Sequence, residues 1–230
     1  MKNKNILLIS GTGTLGRFVL SNLYSKGCNV VYSYRSKKKI NEIKIKSKKN
    51  VLLGFKCDLH KESEIKSLIN SAYKKLKRID YVIDCSGIFY YDKIKQLNYK
   101  SLTSMFQINA FATVVINKYI NVNKKKSDWV KIITCGSSSA VIGARDTVSY
   151  CGSKHALLGI VKSLNQTLYK KKIINYCLNF GTLDSKMSKQ IRNTKNQNLI
   201  NQMEVVKSIF YLIEIGNNGL PEELYLKRFN

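Results

Sequence analysis

Short apolar runs alternate with longer amphipathic segments along the whole chain, and this alternation limits the possible folds more than any other feature. The apolar runs, each bounded by turn residues, are Ile6–Ser10, Val30–Tyr34, Val51–Cys57, Tyr81–Cys85, Val130–Thr134 and Ile173–Leu178, and Glu222–Leu226 is predicted to be a final strand. The amphipathic stretches are Leu15–Ser25, Ser63–Leu76, Tyr99–Ile120 and Ser149–Tyr169, with one more helix between residue 203 and the last run. Near-continuous apolar strands that alternate with helices predict an α/β fold with a doubly wound parallel sheet of about seven strands and helices on both faces.

Length and composition fit one such domain. At 230 residues the chain can bury a substantial core, and neither a linker nor a low-complexity block divides it, so we expect a single domain over residues 1–230. No apolar run approaches the roughly 20 residues of a membrane span. The first residues lead directly into a strand pattern without the apolar region and cleavage site of a signal peptide. We therefore expect a cytoplasmic protein that does not associate with membranes.

The chain is strongly basic, with a formal net charge of +26. Such a charge raises nucleic acid as a partner. However, the basic residues are scattered over helix ends and loops, and the abundance of Ile and Asn with a single Pro is typical of a genome rich in A/T codons. We expect no nucleic-acid partner, although this surface would suit an acidic protein. The six cysteines lack metal-ligand spacing, which predicts reduced core thiols and no metal site.

The first apolar run leads into a glycine-rich segment that precedes a helix pattern. Gly11, Gly13 and Gly16 form Gly-x-Gly-x-x-Gly, in which glycines allow a tight turn and close backbone approach while the helix N-terminus faces a pyrophosphate. An ordinary glycine turn is the alternative. The predicted dinucleotide-binding residues of this segment are Gly11, Thr12, Gly13, Thr14, Leu15 and Gly16.

The end of the second strand pattern bears on the choice of dinucleotide. It reads Tyr34-Arg35-Ser36, and no Asp or Glu follows before Glu42. An acid at this place holds the ribose 2′-hydroxyl of NAD, whereas an Arg accommodates the 2′-phosphate of NADP. Arg35, with Ser36 and Lys37 nearby, therefore favours NADP(H), and NAD is the alternative if Arg35 is only one more surface cation.

Residues 130–154 combine a strand pattern, a serine-rich turn, a loop and a helix pattern. Tyr150 and Lys154 are four positions apart, so they share a face if the helix begins near Ser149. A neighbouring ammonium favours the phenolate form, which suits an acid–base catalyst, and Ser137 could hydrogen-bond the same reacting oxygen. The spacing alone is uninformative, since it recurs without this context at Tyr34/Lys38, Tyr73/Lys77 and Tyr91/Lys95.

This order of segments resembles the short-chain dehydrogenase/reductase family, from Asn5 to about Leu226. The resemblance implies a Rossmann-like fold and hydride transfer between a nicotinamide and a carbonyl or secondary alcohol. It implies that Tyr150 gives the proton, that Ser137 orients the reacting oxygen and that Lys154 also holds the nicotinamide ribose. Asn109 matches the family's asparagine on a water relay, although a buried amide can equally be a satisfied core residue.

Other segments match the family's cofactor-binding positions. Asp58-Leu59 matches a pair beside the adenine, although Asp58 could instead cap the next helix. Ser86-Gly87 lies where the family carries the end of Asn-Asn-Ala-Gly, and Gly181-Thr182 lies in a loop that covers the nicotinamide. The resemblance therefore adds to the cofactor-binding set Asp58, Leu59, Ser86, Gly87, Tyr150, Lys154, Gly181 and Thr182.

The chain also departs from the family pattern. Its glycine motif is one residue shorter than the usual Gly-x-x-x-Gly-x-Gly, the glycine-rich tail is missing, and the polar residues 188–204 take the place of the substrate-covering lid. Three functions stay open: an NADP(H)-dependent 3-oxoacyl-acyl-carrier-protein reductase, a family member that acts on a sugar or small alcohol, and a non-catalytic nucleotide sensor. Family members often assemble, so we expect a homo-oligomer, either a dimer or a tetramer.

Overall fold

A computed structural model describes residues 1–37, 40, 49–185, 187–188, 198–219 and 221–228. Its strands are β1 (Asn5–Ile9), β2 (Asn29–Tyr34), β3 (Leu52–Lys56), β4 (Tyr81–Asp84), β5 (Val130–Cys135), β6 (Ile173–Phe180) and β7 (Glu223–Leu226). Its α-helices are α1 (Thr14–Ser25), α2 (Glu62–Leu76), α3 (Tyr99–Phe106), α4 (Ala112–Asn123), α5 (Val148–Leu168) and α6 (Gln202–Glu214). A π-helical turn, Gln107–Phe111, joins α3 to α4.

The strands form one seven-stranded sheet in the order β3-β2-β1-β4-β5-β6-β7, and every neighbouring pair is parallel. The predicted Rossmann-like doubly wound sheet is therefore confirmed. The strand order reverses between β1 and β4, and ligands of such sheets bind at the carboxyl ends of the strands beside this point. Because helices cover both faces, β5 is buried along its entire length, which explains why its residues are apolar or small apart from Lys131.

Alternate residues of each strand supply two separate core layers. Ile6 and Leu8 of β1 pack in a cluster with α1 and α6, whereas Leu7 and Ile9 pack in a cluster with α2 and α4. Successive side chains of a strand point to opposite faces, so one apolar strand serves both layers. None of the helices in the described part of the chain has the length and apolar character needed to cross a membrane.

The structure corrects one predicted helix. The stretch Tyr99–Ile120 was expected as a single element, but the π-helical turn interrupts it. A π turn inserts one extra residue and changes which side chains face the core. Asn109 lies in this turn and is buried. Two further predictions, Lys38 of one Tyr/Lys pair and residues 189–197 of the lid, lie outside the described residues.

Candidate active site

A cleft of about 570 Å³ opens at the carboxyl ends of the strands. It is lined from the segments that follow β1 to β6, the edge at which a parallel sheet binds its ligands. The predicted site residues that line it are Thr12, Gly13, Thr14, Leu15, Arg35, Asp58, Leu59, Ser86, Gly87, Ser137, Tyr150, Lys154, Gly181 and Thr182. The predicted residues outside its lining are Gly11, Gly16, Ser36 and Asn109.

The shortened glycine motif still forms a tight turn. Ser10 adopts a left-handed φ of 59°, and the backbone N–H of Gly13 donates to its carbonyl oxygen at 3.0 Å. A Cβ on Gly16 would lie 2.1 Å from the same oxygen, so only glycine fits this turn. Helix α1 begins directly after Gly13 and has no side-chain cap. Its first N–H groups therefore remain able to bind an anion.

The geometry of this edge fits a dinucleotide. The turn and the uncapped helix suit a pyrophosphate, as the Gly-x-Gly-x-x-Gly motif predicts. Further along the cleft, a Cβ on Gly87 would lie 3.6 Å from Asn109 Oδ1 and 3.8 Å from Lys154 Nζ. The bare backbone at Gly87 thus lets a ligand approach these polar groups closely.

Helix α5 brings Tyr150 and Lys154 to the same cleft. Lys154 is only 3% exposed, and its Nζ donates to the carbonyl oxygen of Cys135, the last residue of β5, at 3.0 Å. An ammonium has three hydrogens, so others remain for a ligand. The ring of Tyr150 contacts Phe89 edge-on, with 4.9 Å between centroids. The two predicted catalytic side chains are therefore held by separate contacts at the cleft wall.

Ser137 lies directly after β5 and is oriented on both sides. Its backbone N–H donates to Asn179 Oδ1 at 2.9 Å, and its hydroxyl oxygen accepts from the N–H of Ser139 at 3.1 Å. Because the hydroxyl acts as acceptor in this bond, it keeps its own hydrogen for a bond to a ligand. The preceding Gly136 allows the close approach of Asn179, since a Cβ there would lie 1.9 Å from Asn179 Oδ1.

Asn109 links two segments of the cleft wall by hydrogen bonds. Its Oδ1 accepts from the N–H of Ile88 at 2.8 Å, and its Nδ2 donates to the carbonyl oxygen of Ile88 at 3.0 Å and to Ser153 Oγ at 3.1 Å. These bonds join the loop after β4 to helix α5. They satisfy the buried amide, and they place it beneath Gly87 near Lys154.

Asp58 and Asp84 support the cofactor side of the cleft. The hydrogen bond from the His60 side chain, 2.8 Å from Asp58 Oδ1, holds the pKa of Asp58 below its usual value. Asp58 does not cap α2, because the residue before that helix is Lys61, so that alternative is wrong. Asp84 is buried, which raises the pKa of its carboxyl, and it accepts from the N–H of Ser86 at 2.8 Å.

Sequence reasoning missed an apolar wall that lines the same cleft as the predicted catalytic pair. Its side chains come from three segments, which follow β4, follow β5, and end and follow β6, and they are Ile88, Phe89, Ile142, Phe180, Leu183 and Met187. Tyr91, Arg145 and Arg228 also line the cleft. Only the position of Arg228, just after the last strand pattern and hence at the same sheet edge, could have indicated its place.

The comparisons with known proteins agree with this geometry. The short chain dehydrogenase family model matches residues 4–196. The 3-oxoacyl-[acyl-carrier-protein] reductase FabG of Rickettsia typhi is 21% identical over 221 residues, which covers 96% of this chain and 86% of that protein. Ipsdienol dehydrogenase of Ips pini is 26% identical over 178 residues, covering 71% of this chain and 68% of that protein.

Solved structures show the same fold. The short-chain dehydrogenase/reductase from Serratia marcescens BCRC 10948 superposes with a TM-score of 0.86 at 18% identity, covering 98% of this chain and 96% of that one. A dehydrogenase/reductase from Sinorhizobium meliloti 1021 gives a TM-score of 0.85 at 17% identity, covering 99% of this chain and 94% of that one. The chain belongs to the short-chain dehydrogenase/reductase family, whose members are NAD(P)-dependent oxidoreductases acting on CH–OH groups.

Proposed function

We propose that this protein is an NADP(H)-dependent reductase of carbonyl compounds, with 3-oxoacyl thioesters as the first candidate substrates. The observation that carries the proposal is the convergence of Ser137, Tyr150 and Lys154 on the cleft that also contains the glycine turn. An acid–base pair beside a dinucleotide site supports chemistry over nucleotide sensing.

Each of these side chains has a distinct task in the proposed reaction. The nicotinamide cofactor supplies the hydride when it is bound. Tyr150 gives its phenolic proton to the carbonyl oxygen, and the Ser137 hydroxyl donates to the same oxygen, where negative charge develops. Lys154, fixed by its bond to Cys135, stabilises the phenolate that Tyr150 becomes. Asn109 fixes the loop and helix that frame this set. The family resemblance implies that it also supports a water relay toward Lys154.

Arg35 supports NADP over NAD. It is exposed at the end of β2 and lines the cleft at the place where the 2′-phosphate of a dinucleotide is recognised. Fluorescence titration with NADPH and NADH tests this assignment. Arg35→Ala should weaken NADPH binding roughly 10- to 100-fold, the effect of losing a charge-assisted hydrogen bond, and leave NADH binding unchanged.

The neighbouring Lys37 gives a matched control, since it is an exposed cation that does not line the cleft. Lys37→Ala should keep the preference for NADPH. Equal affinity of the wild-type protein for NADPH and NADH would contradict the assignment of Arg35.

The apolar wall and the relatives support the substrate class. Three relatives from Rickettsia species whose matches span 96–97% of this chain are 3-oxoacyl-[acyl-carrier-protein] reductases. Side chains such as Ile142, Phe180 and Leu183 offer an acyl chain apolar contact. Turnover of an acetoacetyl thioester with NADPH, well above that of polar ketones and sugars, is the expected result.

A second candidate is oxidation or reduction of an apolar secondary alcohol and its ketone. The same apolar wall and the similarity to an ipsdienol dehydrogenase favour it. Turnover of aliphatic ketones without turnover of acyl thioesters would select this function. The basic composition of the chain favours the first candidate over the second. Only the first candidate has a substrate that is attached to a carrier protein, and an acidic carrier would bind a basic surface.

A further inference from the structure

A buried carboxylate lies at the start of the helix that carries Tyr150. Asp92, in the loop after β4, is 8% exposed. Its Oδ2 accepts a bond from the backbone N–H of Ser149 at 2.8 Å and a second, short one from the Ser149 hydroxyl. Ser149 is itself buried and immediately precedes Tyr150. Asp92 therefore touches the residue adjacent to the proposed acid without lining the cleft.

The backbone of Asp92 also binds the segment that leads into α5. The Asp92 N–H donates to the carbonyl oxygen of Asp146 at 2.9 Å, and Asp92 forms a parallel bridge with Thr147. Asp146 has a left-handed φ of 58°, an uncommon conformation for a residue other than glycine. Such a conformation persists where the surrounding contacts hold it, and the bonds to Asp92 are contacts of this kind.

Helix α5 takes its cap from this distant residue. Thr147 occupies the cap position but makes no side-chain capping bond. The Asp92 carboxylate accepts from the first turn instead, and a negative charge is favourable at a helix N-terminus. Asp92 and Ser149 are 57 positions apart, so this cap ties two loops of the cleft together.

The same loop also orients the ring of Tyr150. Phe89, three residues before Asp92, contacts the ring of Tyr150 edge-on. It also contacts the ring of Tyr91 edge-on, with 5.0 Å between the centroids of Phe89 and Tyr91. A shift of this loop would move the ring contact and the helix start together. We propose that Asp92 is a positioning residue that acts through Ser149 to hold Tyr150 in its reactive place; this inference rests on the proposed function.

The two carboxylate oxygens of Asp92 differ in their surroundings. Oδ2 makes the bonds to Ser149, whereas Oδ1 is buried and has no hydrogen-bond partner within the described ranges. Burying an ionised oxygen without a partner is unfavourable, so the bonds of Oδ2 must outweigh this cost. A neutral amide of the same shape retains one acceptor oxygen. Asp92→Asn should therefore keep the position of Tyr150, whereas Asp92→Ala should not.

The test compares the steady-state kinetics of three variants of the full chain, with NADPH and an acetoacetyl thioester as substrates. Asp92→Ala should lower kcat about 100-fold, the effect of an ångström-scale misplacement, while the Kd of NADPH changes less than about threefold. Asp92→Asn should recover most of kcat and keep the wild-type pH profile. Asp80→Ala is the matched control, because Asp80 is equally buried and bonds the Asn5 N–H at the opposite sheet edge. It should lower Tm without changing kcat.

Three results would overturn the inference. First, Asp92→Ala could lower Tm without changing kcat, as expected for Asp80→Ala, which would make the role of Asp92 structural only. Second, Asp92→Asn could lose as much turnover as Asp92→Ala, which would assign the effect to the charge of Asp92. If the thioester is not turned over, crystal structures of both Asp92 variants decide: an unmoved Tyr150 ring in Asp92→Ala contradicts the inference. Failure of the proposed function is separate, since it would appear as no turnover of thioesters or ketones by the wild-type protein, or as full turnover by Tyr150→Phe.

Discussion

The pairs Tyr150/Lys154 and Tyr73/Lys77 have the same spacing but opposite surroundings. The first pair occupies the opening turns of α5, and both side chains line the cleft. The second pair lies at the end of α2, where Lys77 adopts a left-handed φ of 65° and terminates the helix. In a parallel sheet each helix starts at the carboxyl edge and ends at the amino edge. The place of the pair within its helix therefore decides whether it can reach a ligand.

The two tyrosines differ accordingly. Tyr73 has a buried hydroxyl without a hydrogen-bond partner in the described part of the chain, and burial raises its pKa above the usual value. Lys77 donates its backbone N–H to the carbonyl oxygen of Tyr73 at 2.8 Å, and among the residues that the structure describes no side-chain bond joins the two. A phenol whose proton is held this firmly is unsuited to proton transfer. Tyr150 instead lines the cleft, one helical turn before the buried Lys154.

The largest expected difference concerns the two hydroxyl groups. Tyr150→Phe should lower turnover about 10³-fold, within the range that a general acid contributes. Tyr73→Phe should leave turnover unchanged, and it should keep or slightly raise Tm because it removes an unpaired buried polar group. Steady-state kinetics and thermal unfolding of both variants measure this. Similar losses of turnover in the two variants would abolish the distinction between the pairs.

A smaller difference is expected for the two lysines. Lys154→Met should lower turnover about 100-fold, because the phenolate that forms on Tyr150 in the proposed reaction loses its cation. Lys77→Met should leave turnover unchanged, since Lys77 lies at the far edge of the sheet. Steady-state kinetics of the two variants gives the comparison. Unchanged turnover in Lys154→Met would contradict the proposed role of this cation.

The smallest expected effects are changes in stability caused by substitutions at the end of α2 and inside α5. Lys77→Gly should stabilise the protein by about 0.5–1 kcal/mol, because glycine adopts the left-handed conformation at a helix end without strain. Gly159→Ala inside α5, where a Cβ would meet no neighbouring atom, should stabilise it by a similar amount through helix propensity. Denaturant unfolding measures both. Destabilisation by Lys77→Gly would show that α2 does not end as described.

The sequence predicts the sheet closely because its five central strands, β2, β1, β4, β5 and β6, are buried along nearly their whole length. The predicted run Tyr81–Cys85 and the observed β4, Tyr81–Asp84, differ by one residue, and the remaining strands are similarly close. The site edge also follows from the sequence, since polar residues after successive parallel strands must meet there. The predicted positions of Ser137, Tyr150 and Lys154 in one cleft follow from this topology.

The parts that sequence reasoning missed depend on loops and on contacts between distant residues. The π turn around Asn109 has no sequence signal other than a polar residue within an apolar helix pattern. Phe89 and Asp92 lie in an irregular loop, and their contacts with α5 join residues about 60 positions apart. Asp58 could not be placed by pattern alone, because a turn acid before a helix reads equally as a cap.

Transfer of a deuteride tests the central claim most directly. The protein is incubated with NADPH deuterated at the transferred position of the nicotinamide and with an acetoacetyl thioester, and the product is analysed by mass spectrometry, with Tyr150→Phe as the control. We expect one deuterium at the new carbinol carbon with the wild-type protein and almost none with the variant, although both bind the cofactor. Tight binding of NADPH by the wild-type protein without label in any thioester or ketone product would contradict the assignment of this cleft as a reductase site.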